Sequence, residues 1–278
     1  MMDQSQLMRA VVAYLRGRYS VIHDTDYYIM AEGQLPVLLV AHLDTVFKSP
    51  PHDIYYDKTK NVMWSPQGLG ADDRAGVFAI LQLIDAGLRP SVLFTTGEEQ
   101  MGVGANVLIR DFPKCPYSEI EYIIELDRQG EKDSVYYSCD NKHFERFINS
   151  KGFVTEEGTF SDISIIAPAW KIAAVNLSIG YLNEHCHIET LNWLWLSQTI
   201  NKIYNLLKWE GANLSYRLDK RFEYIPRKME TFVGPEDVCL YCGQKIRPGT
   251  GRRIHDKDIW GEFEYSLCNS CYEDLTCD

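Results

Sequence analysis

The sequence predicts an α/β fold, a three-layer α/β/α arrangement around a mostly parallel central sheet, with a small separate unit at the C-terminal end. Three observations carry this expectation. Strand-like and helix-like stretches alternate from residue 4 to residue 209, the pattern of an open sheet covered on both faces. The stretch 35–41 (LPVLLVA) is a short, nearly continuous apolar run, the mark of a strand buried on both sides. A chain of 278 residues suffices for one large domain plus an appendage.

In chain order, residues 4–19 read as a helix, with Leu7, Val11, Val12 and Leu15 on one face. Residues 21–30 read as a strand, 35–41 as the buried strand and 61–65 as another. Residues 75–86 are helical, with Val77, Ile80, Leu81 and Ile84 apolar and Gly87 as the C-terminal cap. A strand at 91–96, a helix at 103–110 and a strand at 120–126 come next. Residues 135–138, a helix at about 141–149 and residues 172–179 follow, and a long amphipathic helix at 191–209 closes the region. The expected domains are therefore 1–209, a connector without clear period at 210–235, and a cysteine-bearing unit at 236–278. In open sheets of this type ligands bind beyond the carboxyl ends of the strands, which says where chemistry should sit.

Composition narrows the function classes. The chain is 45% hydrophobic and 24% charged, ordinary for a packed globular protein. Lys and Arg number 28 against 39 Asp and Glu, for a net charge of −11. That balance argues against a general nucleic-acid or anionic-membrane binder, since phosphate binding needs local positive charge. It suits a protein that collects divalent cations. No apolar run is long enough for a membrane span. Arg9, Arg16 and Arg18 are scattered through the first helix rather than grouped before an apolar run, so a secretory signal is not expected and the cytoplasm is the expected location. The scattered Cys115, Cys139, Cys186 and Cys277 read as reduced thiols.

Five short motifs carry chemistry. His42-Leu43-Asp44 directly follows the buried run. A His at the end of a central strand points into the crevice, and an Asp two residues on shares its side and can fix the tautomer. In Gly70-Ala71-Asp72-Asp73-Arg74-Ala75-Gly76, paired acids open a helix; a carboxylate has two oxygens and can bridge two cations. Gly97-Glu98-Glu99 follows another strand, and adjacent glutamates can divide labour between metal binding and proton transfer. Glu125-Leu126-Asp127 ends the strand at 120–126, and Glu184-His185-Cys186-His187-Ile188-Glu189 precedes the last helix. Each motif alone is weak. Their coincidence at the ends of apolar strands, where an unpartnered charge is costly, and their imidazole and carboxylate mix without thiolate together point to a catalytic metal site.

This order of motifs resembles the co-catalytic zinc peptidases, which include the bacterial zinc aminopeptidases and peptidase T. His-Leu-Asp-Thr-Val, Gly-Ala-Asp-Asp-Arg-Ala-Gly and Thr-Gly-Glu-Glu look closest to peptidase T, and the match spans about residues 36–190. The resemblance implies His42, Asp72, Glu99, Asp127 and His185 as ligands of a dinuclear site holding two zinc ions, other divalent metals being alternatives. It implies Asp72 as the bridging carboxylate, Asp73 as the residue where such proteins often have a cis peptide, Glu98 as general base and Asp44 as the partner of His42. It favours His185 over His187, because His185 lies four residues before Glu189; His187 would then be a neighbour of the site or a substrate contact. The gaps from His42 to Asp72 and from Asp127 to His185 are too short for the lid or dimerisation domain of peptidase T, so a minimal core without inserted domain is expected. Thr159-Phe160-Ser161-Asp162 resembles a Ser-Asp loop of the family, but the tyrosine some relatives carry near the position of Gly158 is absent, so specificity does not carry over.

Cys239-Leu240-Tyr241-Cys242 and Cys268-Asn269-Ser270-Cys271 form two C-x-x-C pairs, the spacing of a structural Cys₄ zinc site in a zinc-ribbon or treble-clef-like unit. So small a unit would take its folding energy from one structural zinc. Disulfides, a redox pair and His255 in place of one thiolate are the competing readings. Arg247, Arg252, Arg253 and Lys257 are diluted by Asp256, Asp258, Glu262 and Glu264, which favours a structural role or a protein partner over nucleic acid. Tyr181 is a candidate for lining the substrate pocket.

The expected activity is zinc-dependent hydrolysis of an amide bond in a peptide or peptide-like substrate, in the manner of an aminopeptidase. A deacylase acting on a small N-acyl substrate uses the same metals and stays open, as does a non-catalytic adaptor built on the same fold.

Overall fold

The computed structural model describes residues 2–137, 141–208, 231–233, 245–247, 250–258 and 261–269. The chain divides into two compact units, Met1–Tyr224 and Ile225–Asp278; the segment read as a connector lies outside the described residues except for 231–233.

The larger unit runs α1 (Gln4–Arg16), β1 (Ile22–Asp24), β2 (Tyr28–Ala31), β3 (Leu35–His42), β4 (Tyr55–Asp57), β5 (Val62–Trp64), α2 (Ala71–Asp85), β6 (Pro90–Thr95) and, after a short 3₁₀ turn at Glu98–Gln100, α3 (Val103–Asp111). It continues with β7 (Tyr122–Arg128), β8 (Asp133–Val135), α4 (Lys142–Asn149), β9 (Val154–Glu156), α5 (Ile163–Trp170), β10 (Ala173–Ser178), β11 (Tyr181–Leu182), β12 (Thr190–Asn192) and α6 (Trp193–Leu207). Eight strands form one sheet in the order β1-β2-β6-β3-β7-β10-β8-β9. Its centre, β6-β3-β7-β10, is parallel throughout; β2 and β8 pair antiparallel at its flanks. The sheet is therefore mixed and mostly parallel. A second sheet, β11-β12-β5-β4, is antiparallel.

Side-chain alternation builds the layers. On β3, Val37, Leu39 and Ala41 join a core with residues of α1, α2, α4 and α6, while Leu38 and Val40 join a second core with α3 and α5. Helices thus cover both faces, as the continuous apolar strands require. Local signals set the ends. Asp3 and Gln6 close α1 with a capping box. Gly87 (φ +93°) ends α2 in a Schellman arrangement, its amide donating to Ile84 O and that of Leu88 to Leu83 O.

Several elements depart from the sequence reading. The strand expected at 21–30 is two short antiparallel strands with a turn at 25–27, where the Thr25 hydroxyl accepts the amides of Tyr27 and Tyr28. β7 extends to Arg128, so Asp127 lies inside a strand rather than beyond it. α5 has no counterpart in the sequence reading: Ile-Ser-Ile-Ile-Ala-Pro-Ala-Trp is apolar nearly all round and contains Pro168, which removes the amphipathic period and looks like a breaker.

In the smaller unit, β13 (Thr231–Val233), β14 (Gly251–Asp258) and β15 (Gly261–Cys268) form a sheet in the order β13-β15-β14, with β14 antiparallel and β13 parallel to β15. Cys268 ends β15. Cys239, Cys242 and Cys271 lie outside the described residues.

Candidate metal centre and active site

The topology places a cleft before any side chain is considered. β3 has β6 on one side and β7 on the other, so the chain leaves β3 in one direction and later returns past it. At such a switch point the loops at the carboxyl ends diverge and leave a crevice. On β3 the series Leu38, Val40 continues to His42. By the same alternation Thr95, Glu125 and Asn176 continue the series Leu93, Ile123 and Ala174. The apolar core under α3 and α5 therefore gives way to polar groups at one end of the sheet.

His42, at the end of β3, is almost wholly buried. Its Nε2 lies 3.0 Å from Asp72 Oδ1 and 3.5 Å from Asp127 Oδ1; its Nδ1 faces Asp44 Oδ1 at 3.4 Å. Asp44 also accepts the backbone amides of Glu98 (3.3 Å) and Glu99 (3.2 Å), so one carboxylate orients the imidazole and the turn after β6. Asp72 uses both of its oxygens: Oδ2 lies 3.2 Å from His185 Nε2, and Glu99 Oε2 approaches the same nitrogen at 2.9 Å. His185 comes from the loop between β11 and β12, with φ +61°, and is half exposed.

The donors converge in three overlapping groups whose atoms lie within 4.8 Å of one another: His42 with Asp72 and Asp127, Asp72 with Glu99 and His185, and His42 with Glu98 and Glu99. His187 sits elsewhere, its ring 5.7 Å from that of Phe47. Tyr181 is buried rather than open to a substrate, and its hydroxyl donates to Asp127 Oδ1 at 3.1 Å.

The acidic pair at the head of α2 is held from several sides. The Glu189 carboxylate accepts the amides of Gly70 and Asp72. The Asp72–Asp73 peptide is cis. Asp73 is fully buried, and its oxygens accept the amides of His42 (3.2 Å) and Gly76 (3.0 Å), stitching β3 to α2. Gly76 is required by close approach, since a Cβ there would stand 2.0 Å from Leu126 O. The helix consequently presses directly on β7, beside Asp127.

The electrostatics follow from so many carboxylates in one place. With the side chains alone, burial pushes Glu98 well above the usual carboxylate range, with Asp127, Asp162 and Glu99 adding to the rise. Burial also pushes Asp127 up to about 7. Hydrogen bonds to Asp72 and then Glu99 raise His185 to about 11. Burial opposes ionisation of Asp72, but His185 and His42 hold it below its ordinary value. The ion pairs at this cluster all run to histidine. Glu99 Oε1 is buried without a hydrogen-bond partner, a state that is costly unless something else satisfies it. Imidazoles and carboxylates without thiolate, gathered around Asp72 with a lone pair to spare, fit divalent cations such as zinc.

Residues 27–153 match the sequence profile of Peptidase family M28. This is a peptidase-type hydrolase. The matched stretch of the peptidase carries His42, Asp44, Asp72, Glu98, Glu99 and Asp127 and stops before His185. No curated protein matches the chain significantly. Among solved structures, aminopeptidase PepT from Bacillus cereus ATCC 10987 is similar with a TM-score of 0.57 and 14% identity, covering 73% of this chain and 92% of that one. A tripeptidase from Staphylococcus aureus subsp. aureus Mu50 gives 0.61 and 13%, over 73% and 92%. The TET1 peptidase of Pyrococcus horikoshii gives 0.53 and 14%, over 73% and 94%. At these identities the likeness is one of fold. The family match supports a metal-dependent peptidase.

Sequence reasoning missed Asn176, Glu189 as a clamp, and the structural duty of Asp73. A signal existed for the first: Asn176 and Ser178 are the two polar side chains in the otherwise apolar stretch 172–179, and a polar group in a central strand must find partners.

Proposed function

We propose that the chain is a two-metal aminopeptidase, cleaving the amide bond next to a free amino terminus in a peptide or peptide-like substrate. The observation that carries this reading is the division of Asp72, one oxygen facing His42 and the other His185. His42, Asp72 and Asp127 would hold one cation and Asp72, Glu99 and His185 the other. Cations bound there would supply Lewis-acid polarisation of the scissile carbonyl and acidify water.

The chain's own groups do the rest. Glu98, kept out of the hydrogen bonds that occupy Asp44 and Glu99, is the group that takes a proton from the attacking water and returns it to the leaving amine. Asp44 fixes the angle of the His42 ring and the backbone of Glu98 and Glu99. The preference for an amino terminus is supported by the likeness in fold to aminopeptidase PepT. One further zinc at Cys239, Cys242, Cys268 and Cys271, supported by the C-x-x-C spacing, would be structural.

The test is a metal count with a substrate panel on the full chain. About three zinc ions per chain, and hydrolysis of aminoacyl amides but not N-acyl amides after chelation and zinc restoration, are expected. A count of about one, or activity indifferent to chelation, overturns the reading.

A further inference from the structure

The strand that carries Asp127 is irregular where Asp127 sits. Asn176 of β10 pairs with Glu125 of β7, but Ser178 pairs with Arg128. Two steps along β10 thus face three along β7, so β7 carries one extra residue, a bulge that spans Leu126 and Asp127. A bulge breaks the ladder and leaves backbone groups unpaired, and in a buried central strand such groups must be satisfied.

Asn176 does this for Asp127. Its Oδ1 accepts the Asp127 amide at 2.9 Å and its Nδ2 donates to the Asp127 carbonyl at 2.8 Å. The carboxamide thus replaces both ladder partners of one residue. Asn176 is wholly buried. Its second amino hydrogen has Tyr137 Oη at 3.0 Å and Ser161 Oγ at 3.2 Å to receive it, and Ser161 in turn donates to Glu125. On the other flank of the bulge, Gly76 lets α2 close on Leu126 O. The carboxylate of Asp127 is left free of this scaffold, facing His42 and receiving the Tyr181 hydroxyl.

Resting on the two-metal reading above, we propose that Asn176 is a positioning residue: its carboxamide locks the β7 bulge in the form that aims the Asp127 carboxylate at one of the two cations, and Ser161 braces it. Asn176 touches neither substrate nor metal. Its loss should loosen the ion held with His42 and Asp127 and spare the ion held by Glu99 and His185. A general packing defect would weaken both alike.

The experiment titrates zinc into the metal-free full chain by chelator competition, with thermal melts in parallel, for wild type, Asn176→Ala and Ser161→Ala. In Asn176→Ala one of the two catalytic ions should bind about ten- to a hundredfold more weakly, the usual cost of losing a group that orients a ligand, while the other shifts little. Ser161→Ala, which leaves the Asn176 contacts to Asp127 in place, should weaken the same ion by a smaller factor, and it decides alone if Asn176→Ala does not fold. Repeating the titration in a His185→Ala background, where the ion at His42 and Asp127 remains, should show the same loss. Unchanged affinity for both ions, or an equal loss at both, overturns the role of Asn176. A wild type that binds no pair of ions beyond a structural one overturns the two-metal reading itself, and this role with it.

Discussion

Asp72 Oδ2 and His185 Nε2 lie 3.2 Å apart, although one opens a helix early in the chain and the other sits in a loop between the last two strands of the second sheet. This contact completes the cluster, since it brings in the one residue that the family match does not reach. Replacing His185 by Ala should remove one catalytic cation and leave the other, because His42 and Asp127 stay in place on their strands. Metal analysis on the purified full chain, variant against wild type, reads this as about one zinc fewer per chain. Loss of both would mean that the two ions do not bind independently.

Glu98 and Glu99 are neighbours with different surroundings. Glu99 meets His185 at 2.9 Å, whereas no hydrogen bond of the Glu98 side chain ties it down among the described residues. Glu98→Gln should therefore cut kcat by about 10²–10⁴-fold, the usual contribution of a positioned acid–base group. The metal content should be unchanged. Activity near wild type, or a parallel loss of metal, would reassign the base.

At Gly76 the demand is steric. An added methyl would meet the carbonyl of Leu126 and the carboxylate of Asp73, neither of which can retreat without moving a strand or a buried acid. Gly76→Ala should cost about 1–3 kcal/mol, which for a domain of this size lowers the melting temperature by roughly 2–4 °C per kcal/mol. Urea or thermal melts of the metal-free protein test it; an unchanged midpoint would show that α2 rides further from β7.

Tyr28, almost fully buried, donates to Asp111 Oδ2 at 3.0 Å. Burial first and the Asp111 hydrogen bond second raise its hydroxyl from 10.0 to about 12. The fold thus favours the neutral phenol. Its contribution to stability is complete below pH 10 and is lost as pH rises from there through about 12. Stability of wild type should fall over that window more steeply than that of Tyr28→Phe, as measured by urea midpoints at a series of pH values. Parallel curves would exclude Tyr28 as a contributor.

The layered sheet was legible because its causes are local and repetitive. The run at 35–41 is apolar on both parities, and the closing helix at 193–207 buries Leu196, Thr199, Ile203 and Leu206 at helical spacing, so period and burial agree. His42, Glu98 and Glu99 were legible as site candidates because ionisable groups at the ends of apolar strands need a reason to be there. α5 and the short strands β9, β11 and β12 were not, being either too short for a period or apolar all round.

What the sequence determined by itself is thus the kind of fold, the end of the sheet where the candidate site lies, and the types of side chain gathered there, since each is written in residue class and spacing. Only the tertiary structure decided that Asp72 divides its oxygens between His42 and His185, that Glu189 clamps the amides of Gly70 and Asp72, and that Asn176 stands in for the missing ladder at Asp127. These depend on contacts between residues remote in the chain and on a one-residue slip between two strands. Neither has a local period, so each exists only once the sheet has closed.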